Sequence, residues 1–490
     1  MAGNQDHPSL DPTDWSALRA LGHRMVDDMV DHLATVADGR VWTPMPGRLR
    51  DELGSPLPRE GVGAEEAYAA FRRLVQPYAT GNLHPAFMGW VHGGGNPVGM
   101  LAELLAGALN ANLGGRDHAP IEVERQVIRW SAEMLGLPGT ASGLLVTGTS
   151  IANFIAVLVA RTRVLGGAVR AGGLADAKLT AYTSAAAHGC VPRAMDMAGI
   201  GSGQLRLVPC DAEHRMRLDG LREAVADDRR AGALPFLVVG TAGSVNTGAV
   251  DDLDALAAFC AEGELRLHVD GAFGALAALS PTRRAMLQGI ERADSVAFDF
   301  HKWGQVPYDA GCILVRDGAD LLATFGQDLA YLRREARGLA GGHPWPCDLG
   351  PDLSRGFRAL KVWMTLKAYG ADRIGAVVDR CCDLARRLAQ RVEAEPALEL
   401  LAPVPLNIVC FRVRPREAPR ETTDAQELDR LNAGIVADLQ EAGVAAPSTT
   451  TINGRLAIRA AIVNHRTTER EVDNLVPAVL TAARVRGMIC

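Results

Sequence analysis

Between residues 84 and 370 the chain repeats one pattern: a short apolar run, then mostly enough residues for a helix, then another apolar run. The runs fall at 143–146, 179–183, 205–208, 235–240, 265–270, 295–299 and 312–315. Runs of this length and apolarity suit strands buried on both faces, and strands separated by helices join in parallel with the helices covering the sheet. The pattern predicts an α/β fold whose mainly parallel seven-stranded sheet is flanked by helices. Ligands of such sheets collect at the carboxyl ends of the strands, which directs attention to the polar residues that close the runs.

The flanks differ in kind. Leu18, Leu21, Met25, Met29, Val30 and Leu33 recur at helical spacing after a helix start at Asp11-Pro12-Thr13-Asp14, which predicts a helix over about 15–36. Pro44, Pro46, Pro56 and Pro58 break the pattern, and a second helix is expected over about 64–75. Residues 1–83 thus read as a helical arm. An amphipathic arm cannot bury its stripe alone, so it is expected to pack on a partner surface, a second subunit. After the large domain at 84–370, residues 371–490 read as a small α+β domain, with helices at 373–393 and 427–442 and strands at 398–401, 407–413 and 455–462. The Gly-, Arg- and Pro-rich stretch 326–353 is the candidate mobile loop.

Bulk properties exclude several function classes. A net charge of -6 over 490 residues with no long block of one sign argues against nucleic acid or a membrane surface as partner. The N-terminus lacks a signal-peptide pattern, and no apolar run reaches membrane-spanning length, so the cytoplasm is the expected location. Nine cysteines without paired C-x-x-C spacing indicate neither a zinc site nor a disulfide framework, and no metal is expected.

The chemistry starts at Lys302. The chain has four lysines against 47 arginines, and this one follows the apolar run 295–299. Arg cannot form an imine or lose its proton near neutral pH, whereas Lys can do both. That makes a Schiff-base lysine, and pyridoxal phosphate (PLP) as cofactor, the first expectation. Asp270 closes another run 32 residues earlier and could pair with a protonated pyridine nitrogen; alone, an Asp before Gly is more often a turn or cap residue. Gly148-Thr149-Ser150 opens a helix after a run and could hold a phosphate, although such a start also occurs on helices without ligands. No P-loop lysine and no G-x-G-x-x-G with a spaced acid accompanies it, which speaks against nucleoside triphosphates and nicotinamide cofactors. His188 follows a run and could stack on a flat ring or serve structure alone. Ser244 could place a hydroxyl near that ring or merely shape a turn.

These residues carry a resemblance to the group II pyridoxal-dependent decarboxylases, enzymes of PLP fold type I. Its most specific stretch is His301-Lys302-Trp303-Gly304-Gln305-Val306-Pro307-Tyr308-Asp309-Ala310-Gly311-Cys312. The resemblance implies that Lys302 carries PLP as a Schiff base, that Asp270 pairs with the pyridine nitrogen, and that Ala272 and His188 pack on opposite faces of the ring. It further implies phosphate contacts from Gly148, Thr149 and Ser150, a phosphate-side His301, a hydroxyl near the cofactor from Ser244, and a homodimer with shared active sites.

Asp328-Leu-Ala-Tyr331-Leu-Arg resembles the start of the family's flexible loop, whose tyrosine would return a proton to the α-carbon; Tyr331 is either that donor or an ordinary loop residue. Arg355 matches the family's Arg-rich helix start and is a candidate for holding the site closed. The segment from His84 to Gly95 resembles the wall of the substrate pocket, with Phe87, Trp90, Val91 and His92 as lining candidates and Gly93-Gly94-Gly95 adding backbone freedom. Val91 and His92 depart from the animal aromatic decarboxylases, which have an aromatic residue and a proline there.

The leading expectation is PLP-dependent decarboxylation of an L-amino acid with an aromatic or otherwise bulky side chain, giving the amine and CO2. The alternatives are decarboxylation with oxidative deamination, giving an aldehyde, ammonia and H2O2, and a non-catalytic binding protein on a PLP scaffold. Loss of Lys302 or its acid would mark the latter, and both are present.

Overall fold

A computed structural model describes residues 9–327, 333–342, 344–414 and 425–488. In chain order the strands are β1 (Phe87–Met88), β2 (Ser142–Val146), β3 (Leu179–Ser184), β4 (Leu205–Val208), β5 (Leu234–Thr241), β6 (Arg266–Asp270), β7 (Ser295–Asp299), β8 (Gly311–Val315), β9 (Leu398–Leu400), β10 (Ile408–Val413), β11 (Ala446–Ile452) and β12 (Arg455–Ala461). All seven apolar runs of the central region form one sheet, in the order β2-β8-β7-β6-β5-β3-β4.

From β7 to β4 every pairing is parallel, while β8 runs antiparallel to both of its neighbours. The reason is length. A parallel return needs a crossover of about a dozen residues or more, whereas the connection from Asp299 to Gly311 is a tight excursion that carries Lys302. The carboxyl ends of β3, β5, β6 and β7 therefore share one edge of the sheet, with the lysine-bearing turn beside them. The helix Thr149–Leu165 packs across the sheet through Ala152, Ile155, Ala156 and Val159, all buried. On the opposite face the helices Ala119–Met134 and Arg358–Tyr369 pack against each other, contributing Ile121, Val127, Ile128, Ala359 and Val362 to the core.

A second sheet runs β1-β11-β12-β10-β9 and is covered by the helices Ala371–Ala394, Ala425–Glu441 and Glu469–Val485. Its strand β11, Ala-Pro-Ser-Thr-Thr-Thr-Ile, was not expected, because its central residues are polar and two of its threonines are exposed. β1 pairs in parallel with β11, Phe87 opposite Ala446 and Met88 opposite Pro447. The expected pocket segment is thus tied to the C-terminal sheet.

In the arm, the helix Trp15–Ala34 starts where the sequence places it. Asp14 caps it by accepting from the amides of Ser16 and Ala17 at 2.8 and 3.1 Å. Of that helix only Leu21 is buried. The second arm helix spans Ala64–Leu74, and a short helix, Gly47–Leu53, sits where the prolines suggested only a break; Pro46 serves as its cap position. The eight described cysteines are all free. Among the described residues no helix is long and apolar enough to cross a membrane, and no group of side chains could hold a metal ion.

Candidate active site

Lys302, Asp270, Gly148, Thr149, Ser150, His188, Ala272, His301, Trp90, Val91 and His92 all line one cavity of about 470 Å³ at the edge where the strands end. Parallel pairing brings them together: Thr241 of β5 lies opposite Asp270 of β6, and Asp270 opposite Ala297 of β7. The turn after β7 then delivers His301 and Lys302.

The Lys302 ammonium lies 2.8 Å from Asp299 Oδ2. Asp299 is only 2% exposed, and its other oxygen accepts from the Thr149 amide at 2.8 Å. The Thr149 hydroxyl also donates to this carboxylate. Asp299, whose role the sequence left open, is therefore the counter-charge of Lys302 and the anchor of the helix start at Thr149, where a negative group is favoured. This amends the expectation for Thr149: its amide and hydroxyl both point to Asp299, leaving Gly148 and Ser150 as the unengaged parts of that turn. His301 accepts from the Ala310 amide through Nδ1 at 3.0 Å, and its ring sits 4.3 Å from that of Tyr308. Burial pushes its pKa down to about 4, so it is neutral at physiological pH.

Asp270 Oδ1 accepts from the Ala272 amide at 3.2 Å, and Oδ2 from Asn153 Nδ2 at 3.1 Å. The Cys190 sulfur is 3.6 Å from the same oxygen. His188 Nδ1 accepts from the Cys190 amide at 3.1 Å, which fixes the ring, and burial lowers its pKa.

The structure adds residues that the sequence reading missed. Thr241 closes β5 as Asp270 closes β6; its hydroxyl is buried at the cavity without a hydrogen-bond partner among the described residues. Arg459 also lines the cavity although it is 3% exposed. Among the described residues its guanidinium donates only to neutral oxygens: Trp90 O at 3.1 Å, Ser448 Oγ at 3.2 Å and Val245 O. Nε has no partner among the described residues, and burial lowers the pKa to about 10. An arginine inside the apolar run Leu456-Ala-Ile-Arg459-Ala-Ala-Ile was a visible signal. Asn246, Tyr308, Ser448 and Thr449 complete the outer wall and carry no such signal.

Four expectations need correction or fall elsewhere. Ser244 does not line the cavity; its hydroxyl accepts from the Ala249 amide at 3.2 Å and lies 2.9 Å from Thr247 Oγ1, so it is spent within its own turn. Arg355 is not a pocket residue: it is buried in an ion pair with Glu124 and donates to the carbonyls of Leu113 and Leu145 at 3.1 and 2.7 Å. Phe87 sits behind the wall, with its ring stacked on that of His92 at 5.7 Å. Tyr331 lies outside the described residues. The glycine run also acts differently from expectation. A Cβ on Gly93 would stand 2.4 Å from the carbonyl oxygens of both His301 and Lys302, and one on Gly94 would meet Asn464 at 2.4 Å. These glycines permit close packing against the lysine turn, and only Gly95 has a left-handed φ, +60°.

The residues fit PLP by their own chemistry. An amine that can form an imine, a carboxylate held as a hydrogen-bond acceptor and an unpartnered hydroxyl face one cavity, next to a helix start that opens onto it.

Comparison with known proteins agrees with this geometry. The pyridoxal-dependent decarboxylase conserved domain matches residues 46–414. An aromatic-L-amino-acid decarboxylase of Bacillus atrophaeus is 34% identical over 460 residues, which cover 93% of each chain. A phenylacetaldehyde synthase of Arabidopsis thaliana is 28% identical over 478 residues, 94% of this chain and 95% of that one. The crystal structure of Oryza sativa TDC with PLP and tryptamine superposes with a TM-score of 0.89 at 26% identity, covering 98% of this chain and 100% of that one.

Proposed function

The chain belongs to the pyridoxal-dependent decarboxylase family and is a PLP-dependent amino-acid decarboxylase, and from that premise we propose that it removes CO2 from an L-amino acid with an aromatic or otherwise bulky side chain and leaves the amine. The observation that carries the reading is the meeting of Lys302 and Asp270, from the turn after β7 and the end of β6, in one cavity with an arginine that has no acidic partner among the described residues. Bound PLP supplies an electron sink for the pair left on the α-carbon when CO2 departs.

The chain's own residues would then divide the work. Lys302 would carry the cofactor, leaving Asp299 a carboxylate still held by hydrogen bonds from the Thr149 amide and hydroxyl. Asp270 would hold the proton on the pyridine nitrogen, His188 and Ala272 would confine the ring, and Gly148 and Ser150 would bind the phosphate. Thr241 would donate its unused hydroxyl to the cofactor. Arg459 would hold a substrate carboxylate, the charge that its buried guanidinium lacks among the described residues. Fixing that carboxylate relative to the ring selects which α-carbon bond breaks. Trp90, Val91 and His92 would contact the side chain, and the aromatic neighbours of His92 support the bulky-substrate reading: Phe87 and Trp90 stack on it at 5.7 and 5.8 Å, and Tyr308 meets it edge-on at 5.8 Å.

A homodimer is part of the proposal. Leu104, Leu105 and Leu109 on the helix Pro97–Leu109, and Trp15 and Val30 on the arm, are large apolar side chains left exposed in the single chain; a monomeric mass with full activity would defeat it.

The test is to titrate purified protein with PLP, record the visible spectrum, and screen amino acids for CO2, amine, aldehyde and peroxide, with Lys302→Ala as control. A visible band lost in the variant, with CO2 and amine formed in equal amounts, is expected. Aldehyde and peroxide in place of amine would move the chain to the oxidative reaction, and no band in the wild type would refute the role of Lys302.

A further inference from the structure

Next to Asp270, reaching back along β6 and β7 from the strand ends, three buried polar residues form a chain. Asn153 is 1% exposed on the helix Thr149–Leu165, His268 is 1% exposed on β6, and Ser295 is 5% exposed on β7, directly opposite His268 in register. Asn153 Nδ2 lies 3.1 Å from Asp270 Oδ2, Asn153 Oδ1 lies 2.7 Å from His268 Nε2, and His268 Nδ1 lies 2.8 Å from Ser295 Oγ.

The chemistry of the groups gives this chain one direction. An ionised carboxylate only accepts, so Asn153 must turn its NH2 toward Asp270 and its oxygen toward His268. His268 Nε2 must then carry the hydrogen, which leaves Nδ1 as acceptor for the Ser295 hydroxyl. Burial lowers the His268 pKa to about 4, so the ring is neutral and this tautomer is available. Each link of the chain therefore donates toward Asp270, and the Asn153 amide nitrogen also donates to Cys190 Sγ at 3.0 Å. Aligned hydrogen bonds polarise one another in a low-dielectric interior, and the last of them fixes the carboxylate oxygen at the end. Burying three polar side chains has no advantage in packing over an apolar set. Their convergence on one cavity-lining oxygen gives them a task.

We propose that Asn153, His268 and Ser295 are positioning residues that hold the Asp270 carboxylate aimed at the cofactor's pyridine nitrogen, and thereby keep the proton on that nitrogen. This rests on the role assigned to Asp270 above. Held by the chain, the carboxylate stays turned toward that nitrogen, where the decarboxylation needs the proton; deprived of the chain, it is free to rotate away.

The test reads the nitrogen directly. Holoenzyme is prepared with cofactor 15N-labelled in the ring, and the 15N shift is compared in the wild type, Asp270→Asn, Asn153→Leu, His268→Phe, His268→Gln and Ser295→Ala, together with kcat and KM. The wild-type nitrogen is expected to be protonated and that of Asp270→Asn unprotonated. Asn153→Leu and His268→Phe should move toward the unprotonated shift and lose roughly 10- to 100-fold in kcat, the range for a lost hydrogen bond to a buried charge, with KM little changed. His268→Gln, which keeps an N–H near the place of Nε2, should recover most of both signals. Ser295→Ala removes one hydroxyl only, and its partial shift carries the test should His268→Phe not fold. A nitrogen that responds to Asp270→Asn but is unmoved in Asn153→Leu and Ser295→Ala, with wild-type kcat, overturns the relay alone. A nitrogen indifferent to Asp270→Asn overturns the assignment of Asp270 and the relay with it.

Discussion

Replacing Arg355 separates a residue that closes an active site from one that holds the scaffold. Its guanidinium and the Glu124 carboxylate are both almost wholly buried, 2% and 4% exposed as side chains. Arg355 Nη1 donates to Glu124 Oε2 at 3.0 Å, and Glu124 Oε1 also accepts from the Leu145 amide at 3.0 Å. The pair thus ties the helix Ala119–Met134 to edge strand β2 and to the chain entering the helix Arg358–Tyr369. Removing one member leaves a buried charge without its partner, which costs about 3–5 kcal/mol. Unfolding entropy of roughly 2 cal/mol/K per residue, taken over a chain of this length, makes about 1 kcal/mol correspond to about 1 °C. Arg355→Met should therefore lower the melting temperature by roughly 3–5 °C, while kcat per folded molecule stays close to wild type. Glu124→Leu should do the same, and the double variant should lose less than the sum, because neither charge is then stranded. Differential scanning calorimetry and steady-state assay on the same samples check this. A stable Arg355→Met protein with kcat reduced tenfold or more would refute the structural role and restore the site-closing one.

Acid should destabilise the fold above the range where carboxylates titrate. Burial pushes His268, His301 and His465 each down to about 4, so the unfolded chain protonates them first. Their stabilising share is complete above about pH 6.5 and is lost as pH falls toward 4, up to about 3 kcal/mol for each. Urea midpoints at pH 7 and pH 4.5 measure the loss, and His465→Gln, which can keep a donor toward Gly95 O, should flatten it; an unchanged midpoint in the wild type would contradict the reasoning. Gly93→Ala should weaken cofactor binding, because its Cβ would press on the His301 and Lys302 carbonyls at a cost of about 1–3 kcal/mol. Gly95→Ala, whose nearest neighbour is a leucine methyl at 3.7 Å, should cost about 1 kcal/mol in stability and leave cofactor affinity intact. Equal affinity in both variants, measured by PLP titration, would count against the packing argument.

The central sheet was legible because its strands are buried on both faces. Such burial writes itself into sequence as uninterrupted apolar runs, and all seven runs became strands. The same holds for residues at strand ends. Asp270, Lys302, His188 and Gly148 each stand where a buried run stops, and the structure brings them to one cavity. β11 was illegible because a partly exposed strand of threonines alternates weakly. The direction of β8 was settled by the short connection that carries the lysine.

What a polar side chain does depends on which other chain segments meet it, and this the sequence alone could not supply. Arg355 and Arg459 are both buried arginines, yet one meets Glu124 across 231 positions of sequence and the other, among the described residues, meets only neutral oxygens at the cavity. Ser244 and Thr241 are hydroxyls three residues apart, one spent in its turn and the other left free. Sequence by itself determined where the chain must be buried and which reactive groups sit at the strand ends, because burial and backbone periodicity are local. The partners that turn those groups into an ion pair, an open cation or a directed hydrogen-bond chain were decided by the tertiary structure, because electrostatic and hydrogen-bond energies act over a few ångströms between residues far apart in the chain.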